Sequence, residues 1–296
     1  MRPFAERLAS GDVLVGDGAH GTMLFEEVLK PGECPESAIL SHPEVVKGIA
    51  GRYTDAGAGY IETNTFGATS LKLAMSGLEN ETETINNQAV SLAREAAGDS
   101  AYVIASCGPT GKMLEPYGDT KPVTVYDSFR MQMEFLASAG VDCVFIETMI
   151  DLEEAKLAVT AAKDVMPNIP VAAMMTFDQT PRGFFTIMGV TVEAAVSGLT
   201  EVGADAIGSN CGTGIDQMIE LAKEFHRHTV LPLIFQPNAG LPQTKDGKIY
   251  YDETPAMMAA KVPALIDAGV SIVGGCCGTT PEHIRAIQET VSSLSR

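Results

Sequence analysis

The sequence contains no tryptophan, few aromatic residues of any kind and few basic side chains. Aromatic residues make up 6% of the 296 positions, and 20 lysines and arginines stand against 38 aspartates and glutamates, for a formal net charge of −18. Proteins that bind nucleic acids present a basic surface, so we expect no nucleic-acid partner. No apolar run approaches the roughly 18 residues that a membrane-spanning helix requires, so we expect no membrane partner.

The N-terminal residues also lack a secretion signal. The segment MRPFAERLASGD contains no apolar core of the kind that precedes a signal-peptide cleavage site. We therefore expect a cytoplasmic protein, in which disulfide bonds are rare. Under that interpretation, clusters among the six cysteines are better read as metal-binding or catalytic groups.

Eight short apolar segments rich in β-branched residues alternate with helical patterns along the chain. The predicted strands are Val13–Ala19, Tyr60–Phe66, Tyr102–Pro109, Cys143–Met149, Pro170–Phe177, Ala206–Gly212, Leu231–Asn238 and Ser271–Gly278. Nearly continuous hydrophobicity is typical of parallel strands that are covered on both faces. Eight such units in a chain of this length predict an α/β fold, a TIM (β/α)8 barrel forming a single domain over residues 1–296.

Local signals predict how two of the helices begin or break. Asp151 and Glu154 have the spacing of a capping box, in which each side chain bonds to the backbone of the other. Pro263 predicts a kink or an interruption in the helix that follows Glu253, because proline lacks the donor that the helix needs.

A weak internal repeat places polar residues at the ends of four predicted strands. In each copy a helix ends in glycine and a strand follows at once. The glycines are Gly57, Gly140, Gly203 and Gly269, and the residues seven positions later are Asn64, Glu147, Asn210 and Cys276. Strand ends can be polar simply because they meet solvent, but solvent contact does not explain why the following residues are rich in glycine. Because TIM barrels build active sites at the carboxyl ends of their strands, these positions are expected to share one rim.

Three cysteines follow the sixth and eighth predicted strands. Cys211 lies in SNCGTG, and Cys276 and Cys277 lie in GGCCGTT. Three thiolates that converge from two strand ends are typical of a zinc site with an open fourth position. The alternative is that they are small buried hydrophobic residues. That simpler interpretation is our expectation for the remaining cysteines, which are Cys34, Cys107 and Cys143.

A zinc ion with three thiolate ligands favours chemistry at a thiol. A substrate thiol that binds in the fourth position loses its proton to the metal. A free thiol, with a pKa of about 8.5, is only a few per cent ionised at neutral pH. Hydrolytic zinc sites generally use histidine and carboxylate ligands instead. The cysteine pattern therefore predicts alkyl transfer to a thiol.

Several longer motifs run from one end of the chain to the other. They are DGAHGT, ETNTFGA, GPTG, FIETM, SNCGTG, PNAGLP and GGCCGTTPEHI. In these motifs the chain resembles the homocysteine S-methyltransferase family and, within it, the N-terminal homocysteine-binding module of cobalamin-dependent methionine synthase. The resemblance implies an enzyme that methylates the thiol of homocysteine to form methionine, with one Zn²⁺ per chain.

The resemblance also implies roles for individual residues. The implied zinc ligands and catalytic residues are Cys211, Cys276 and Cys277, and the implied substrate-binding residues are Asp17, Glu147, Asn64 and Asn238. Asp17 and Glu147 would hold the amino group of homocysteine, although either could instead be a structural acid. Asn238 would occupy the fourth zinc position when substrate is absent, and Asn64 could equally clamp the backbone. Backbone amides of the GAHGT and TFGA loops would bind the substrate carboxylate, while the roles of His20 and Cys107 stay open.

The methyl donor is less well defined by the sequence. The folate-binding and cobalamin-binding modules of full methionine synthase do not occur in this sequence, so we expect a separate methyl-corrinoid protein, carrying methylcobalamin, as donor. S-methylmethionine, betaine or another small methyl-onium compound is the alternative donor, and the sequence is also compatible with a fragment of a longer protein.

Two other function classes are compatible with a barrel of this kind. TIM barrels often bind phosphate at the loops after strands seven and eight, so GGCCGTTP would also suit a phosphate-binding lyase or isomerase. A sensor that binds homocysteine or zinc without turnover is the third interpretation. Loss of activity on zinc removal would separate the methyltransferase from both.

Overall fold

The computed structural model describes residues 1–245 and 248–294, and in this part of the chain eight parallel strands form one nearly closed sheet. The strands are β1 (Leu14–Val15), β2 (Tyr60–Glu62), β3 (Tyr102–Cys107), β4 (Cys143–Met149), β5 (Val171–Met175), β6 (Ala206–Asn210), β7 (Leu233–Gln236) and β8 (Val270–Val273). Their order in the sheet is β1-β8-β7-β6-β5-β4-β3-β2, with every pair parallel. The predicted TIM barrel is confirmed, although most strands are shorter than the apolar segments that predicted them.

The seam between β1 and β2 is bridged by single hydrogen bonds rather than by a continuous ladder. The Gly59 amide donates to the carbonyl of Val15 at 2.7 Å. Further along, the Glu62 amide donates to Oδ2 of Asp17 at 2.8 Å. The Asp17 carboxylate thus takes the place of a backbone acceptor where the barrel closes.

Helices precede, connect and follow the strands, and those after the first surround the outside of the barrel. They are α1 (Phe4–Ala9), α2 (His20–Glu27), α3 (Ala38–Ser41), α4 (Pro43–Asp55), α5 (Ser70–Leu73), α6 (Thr82–Ala97), α7 (Pro122–Ala139), α8 (Leu152–Val165), α9 (Val192–Glu201), α10 (Ile215–His228), α11 (Pro255–Asp267) and α12 (Pro281–Leu294). The four repeat glycines have φ values between 83° and 98°, the left-handed conformation expected where a helix ends. In the described residues no helix is long and apolar enough to cross a membrane.

Both local helix predictions need correction. Asp151 caps α8 by accepting a hydrogen bond from the Glu153 amide at 2.9 Å, but Glu154 does not complete the capping box. The Glu154 carboxylate instead accepts two hydrogen bonds from Thr110, at 2.6 and 2.8 Å, because the loop after β3 lies over the start of α8. The helix α11 is not interrupted at Pro263, since the buried side chains on either side keep it packed against the core, while the alternative of a kink stays a prediction.

The amino-terminal end of the barrel is closed by α1. Phe4 is 3% exposed and packs edge-on against the ring of Tyr102, with 5.0 Å between the ring centroids. Above it lies a small apolar interior that includes Tyr60 and Phe145, whose rings are 5.3 Å apart. Polar side chains begin only above this layer, at the carboxyl ends of the strands.

We expect Phe4→Ala to destabilise the barrel without changing its chemistry. Loss of a buried phenyl ring costs about 3 kcal/mol of unfolding free energy, measured by urea denaturation. Phe25 is 39% exposed, so the matched control Phe25→Ala should change this free energy by less than about 0.5 kcal/mol. Equal losses for the two variants would show that α1 does not plug the barrel.

Candidate active site

A cavity of about 210 Å³ opens at the carboxyl ends of the strands. Its lining includes both sulfur and carboxyl groups, contributed by Glu62, Glu147, Cys211, Cys276 and Cys277. The volume can hold a small amino acid. Of the lining residues that the structure describes, none is a lysine or an arginine. The cavity is therefore acidic, and His20 is the one basic side chain among the lining residues that the structure describes.

The three cysteines predicted as zinc ligands lie together at one side of this cavity. Their sulfur atoms are all within 4.8 Å of one another, and the Sγ atoms of Cys211 and Cys277 are 4.0 Å apart. Tetrahedral zinc with Zn–S bonds of about 2.3 Å places its sulfur ligands about 3.8 Å apart. The observed spacing therefore fits a zinc ion with small adjustments of the side chains.

The loops that carry the cysteines are held by backbone hydrogen bonds to the end of β7. The amide of Cys211 donates to the carbonyl of Gln236 at 3.2 Å, and the amide of Cys276 donates to Pro237 at 2.9 Å. The backbone carbonyl of Cys277 accepts a hydrogen bond from the amide of Ala239 at 3.0 Å. The strand β7 lies between β6 and β8, so it brings the two cysteine loops together.

Backbone strain is concentrated at this site. Among the described residues other than glycine, Thr148 and Cys211 are the two with positive φ, at 58° and 62°. This conformation is unfavourable for L-residues, by roughly 1–3 kcal/mol, and such strain tends to be retained at functional positions. Here it turns the chain sharply at the end of β4 and of β6, next to the cavity.

The three thiols cannot all ionise without a positive charge. Hydrogen bonds from Cys276 and then Cys277 hold the pKa of the Cys211 thiol well below its usual value. The interaction with Cys211 raises the pKa of Cys276 and Cys277 in turn. One thiolate and two thiols is therefore the stable arrangement of the protein groups alone, and a divalent cation is what would allow three thiolates.

Asn238 lies beside the cysteines with an unused acceptor. The residue is 3% exposed, its side chain hydrogen-bonds to Cys211, and its Oδ1 atom has no hydrogen-bond partner. A buried carbonyl oxygen without a partner is unfavourable by roughly 1–3 kcal/mol. Its position and chemistry fit the predicted role of a replaceable fourth metal ligand.

The two predicted carboxylates, Asp17 and Glu147, are both buried, but among the described residues Glu147 lines the cavity whereas Asp17 lies behind the lining residues Gly18 and His20. Asp17 is 1% exposed, and its Oδ2 atom accepts from His20 Nε2 at 2.7 Å as well as from the Glu62 amide. Glu147 accepts a very short hydrogen bond from the Ser106 hydroxyl and one of 2.8 Å from Asn210 Nδ2. His20, whose orientation the sequence left open, faces the cavity and pairs with Asp17.

The protonation of the glutamates reflects their burial. Burial raises the pKa of Glu147 to about 7. Burial, and then the nearby Glu147 charge, raise the pKa of Glu62 well above the usual value for a glutamate. A substrate ammonium group would offset the negative charge of these carboxyl groups, because the described lining residues include no lysine or arginine.

Asn64 lies in the cavity wall but its amide is already used. Its Nδ2 atom donates to the carbonyl of Pro35 at 2.9 Å, which is the backbone-clamp alternative. Asn64 nevertheless lines the cavity, and its contact with substrate stays a prediction.

Several residues at the site were not assigned a role from the sequence. They are Glu62, Ser106, Asn210, Gln236 and Tyr251, the last of which hydrogen-bonds to Cys277. Asn210 had a usable signal, because it occupies the repeat position that Glu147 occupies in another copy. Glu62 had one too, as a charged residue at a strand end within ETNTFGA. For the others, only spatial proximity reveals the contact.

Phosphate binding at the start of α12 is disfavoured by the local structure. The amide of Thr280 already donates to Nδ1 of His283 at 3.1 Å, and Glu282 lies in the first turn. An anion would have to displace this hydrogen bond and approach a carboxylate. The geometry therefore does not support the lyase or isomerase interpretation.

Comparison with known proteins gives a consistent assignment. The family described as homocysteine S-methyltransferase matches residues 14–291. Methionine synthase of Mycobacterium tuberculosis is 32% identical over 301 residues, covering 96% of this chain and 25% of that protein. Methionine synthase of Mycobacterium leprae is 33% identical over 297 residues, covering 95% of this chain and 24% of that protein. The chain thus spans about a quarter of the length of these curated relatives.

Solved structures show the same fold. The metallated form of the homocysteine methyltransferase MmuM from Escherichia coli superposes with a TM-score of 0.80 at 24% identity, covering 97% of this chain and 99% of that one. The oxidised form of the same enzyme superposes with a TM-score of 0.79, covering 96% of this chain and 99% of that one. The likeness extends over the whole barrel.

Proposed function

The chain belongs to the homocysteine S-methyltransferase family, and we propose that it transfers a methyl group to the thiol of homocysteine to form methionine. The observation that carries this proposal is one small cavity in which a three-cysteine cluster faces a group of buried carboxyl groups. The first suits a thiol, and the second suits an ammonium group. Homocysteine carries both on a short chain.

The cysteine cluster would hold one zinc ion at the thiol end of the substrate. Cys211, Cys276 and Cys277 would supply three sulfur ligands, and Asn238, whose buried Oδ1 has no hydrogen-bond partner, would be the fourth ligand in the absence of substrate. When bound, zinc supplies the positive charge that lets a thiol lose its proton at neutral pH. The loops after β6, β7 and β8 would flank this thiol end, since they carry the three cysteines and Asn238.

The carboxyl groups would hold the other end of the substrate. Glu147 would accept a hydrogen bond from the ammonium group, and the negative charge of the nearby Asp17 would add to the attraction. The substrate carboxylate would meet the start of α2, whose first turn carries no acidic residue and no side-chain cap. Free backbone amides and the helix dipole favour an anion at such a position.

Methyl transfer then requires an in-line arrangement of sulfur, methyl carbon and leaving atom. The sulfur lone pair forms the new S–C bond while the bond from carbon to the donor breaks, and its electrons stay with the donor. The substrate is fixed at both ends, so its sulfur can be aimed at the mouth of the cavity. The donor must approach from that side.

We propose a methyl-corrinoid protein as the donor. The curated relatives are named methionine synthase, and exposed apolar side chains lie on three loops at the carboxyl end of the barrel. This apolar rim lies on the loops that follow β3, β5 and β7 and consists of Met113, Tyr117, Ile187, Leu241 and Ile249, which are 52% to 79% exposed. Exposed apolar groups of this kind mark contacts with large partners, whereas a small methyl-onium donor needs no such surface.

A donor screen tests both parts of the proposal. Zinc-loaded protein and homocysteine are incubated with methylcobalamin, S-methylmethionine or betaine, and methionine is quantified by mass spectrometry. We expect methionine from methylcobalamin and none above background from the other two. Activity with betaine or S-methylmethionine alone would replace the proposed donor, and no methionine from any donor, despite homocysteine binding, would favour a sensor.

A further inference from the structure

Two glutamates, Glu62 from β2 and Glu147 from β4, lie side by side on the floor of the cavity. Both line the cavity, and their carboxyl groups hydrogen-bond to each other. Two ionised carboxylates repel and cannot share a hydrogen bond, so one of the pair must carry a proton. Which one does so determines the charge that a substrate meets.

The surrounding donors identify the ionised member. Both oxygens of Glu147 accept hydrogen bonds from neutral donors, one from the Ser106 hydroxyl and one from Asn210 Nδ2. The side-chain amide of Asn210 cannot exchange the positions of its oxygen and nitrogen, because Oδ1 accepts a hydrogen bond from the Thr148 backbone amide at 2.7 Å. Glu147 is therefore surrounded by hydrogen-bond donors of fixed orientation, and such donors stabilise the ionised carboxylate.

Glu62 has a different environment. Its Oε1 atom accepts from Gln236 Nε2, and the same nitrogen is 3.2 Å from the Tyr60 hydroxyl. With a single donor on one oxygen, the carboxyl of Glu62 is free to donate its own hydrogen from the other. The charge of Asp17 acts on both carboxyl groups, so it disfavours a second negative charge on the pair without selecting which member is protonated.

We propose that Glu62 is a protonated positioning residue: its hydroxyl donates to Glu147 and holds Glu147 as the ionised acceptor for a substrate with one protonated amine. The proposal rests on the proposed function, since it concerns how the amino group of homocysteine is recognised. The titratable groups that face the pair are Asp17 with its partner His20, Tyr60 below, and the three cysteines across the cavity. With Glu62 neutral, the pair carries a single negative charge, which matches a single ammonium group.

Two variants of Glu62 distinguish a hydrogen-bond donor from an ammonium ligand. In Glu62→Gln the amide nitrogen can donate to Glu147 while the amide oxygen accepts from Gln236, so the hydrogen bonds of the protonated acid are retained. In Glu62→Leu the hydrogen bonds to Glu147 and to Gln236 are both lost, while the side-chain volume stays similar. Loss of the donor should raise the pKa of Glu147 and leave less of the carboxylate at neutral pH.

The experiment measures binding by calorimetry to the zinc-loaded protein at pH 6 to 9. The probes are L-homocysteine and 4-mercaptobutanoate, which has the thiol and the carboxylate but no amine. We expect Glu62→Gln to stay within about threefold of the unmodified protein for homocysteine, and Glu62→Leu to bind it at least about tenfold more weakly at pH 7, the loss expected for one hydrogen bond to a charged group. Affinity for 4-mercaptobutanoate should be the same in all three proteins.

The pH profile gives a second readout that a packing defect would not move. Homocysteine affinity should fall toward acidic pH as Glu147 is protonated, and in Glu62→Leu this fall should begin at a higher pH. Equal weakening by Glu62→Gln and Glu62→Leu would overturn the proposal, because it would make Glu62 an ionised ligand of the amine. If Glu62→Leu fails to fold, the Glu62→Gln result alone decides. Failure of the unmodified protein to bind homocysteine would instead overturn the proposed function.

Discussion

Replacement of Cys276 by serine is expected to lower the zinc content from about one ion per chain to nearly none and to abolish methionine formation. A serine hydroxyl does not ionise at neutral pH and is a poor zinc ligand. Zinc sites built from cysteine and histidine are stabilised by about 10–16 kcal/mol in total, so losing one ligand costs roughly 3 kcal/mol, or more than about 100-fold in affinity. Metal analysis after dialysis, together with the methylation assay, measures both effects.

Cys34→Ser is the matched control for this substitution. Cys34 is half-buried in the loop after α2, and its thiol donates to Glu36 Oε2 at 3.0 Å, a hydrogen bond that serine can also make. The control should therefore keep its full zinc content and its activity. Full zinc content and activity in Cys276→Ser would rule out the three-cysteine zinc centre.

Replacement of Glu147 by glutamine is expected to raise the KM for homocysteine strongly and to change kcat much less. The variant keeps the size of the side chain and removes the charge that would pair with the substrate ammonium. Loss of one member of a buried, hydrogen-bonded charge pair costs roughly 2–3 kcal/mol, which corresponds to about 30- to 150-fold in KM. Steady-state kinetics with saturating methylcobalamin measures the change.

The same residue should set the pH dependence of substrate capture. Burial raises the pKa of Glu147 to about 7, and only the ionised carboxylate binds an ammonium group. The kcat/KM of the unmodified enzyme, which reports the free protein, should therefore fall as the pH drops through about 7. In Glu147→Gln that acidic limb should be absent.

Glu154→Gln provides the control at another buried glutamate. Glu154 is 4% exposed and accepts two hydrogen bonds from Thr110, outside the cavity lining. We expect it to lower the free energy of unfolding by roughly 1–3 kcal/mol while the KM for homocysteine stays unchanged. A similar rise in KM for both variants would mean that the Glu147 effect is one of stability and not of recognition.

Much of the architecture could be predicted because its signals are local. A parallel strand buried on both faces has to be nearly continuous in hydrophobicity, and a helix that ends in the left-handed conformation favours glycine, as at Gly57 and Gly203. Local rules failed where a distant contact competed with them. The carboxylate of Glu154 bonds to Thr110 instead of its own helix, and packing carries α11 through Pro263.

The sequence by itself determined the barrel, the family and the residue types at the strand ends, because these depend on patterns that neighbouring residues create together. Only the tertiary structure decided which strand-end groups touch. It placed Cys211 within 4.0 Å of Cys277 and Glu62 against Glu147, and it supplied Ser106 and Asn210 as donors to that glutamate. These contacts join residues that are 41 to 85 positions apart, and their charges and protonation depend on burial and distance, which the order of residues does not specify.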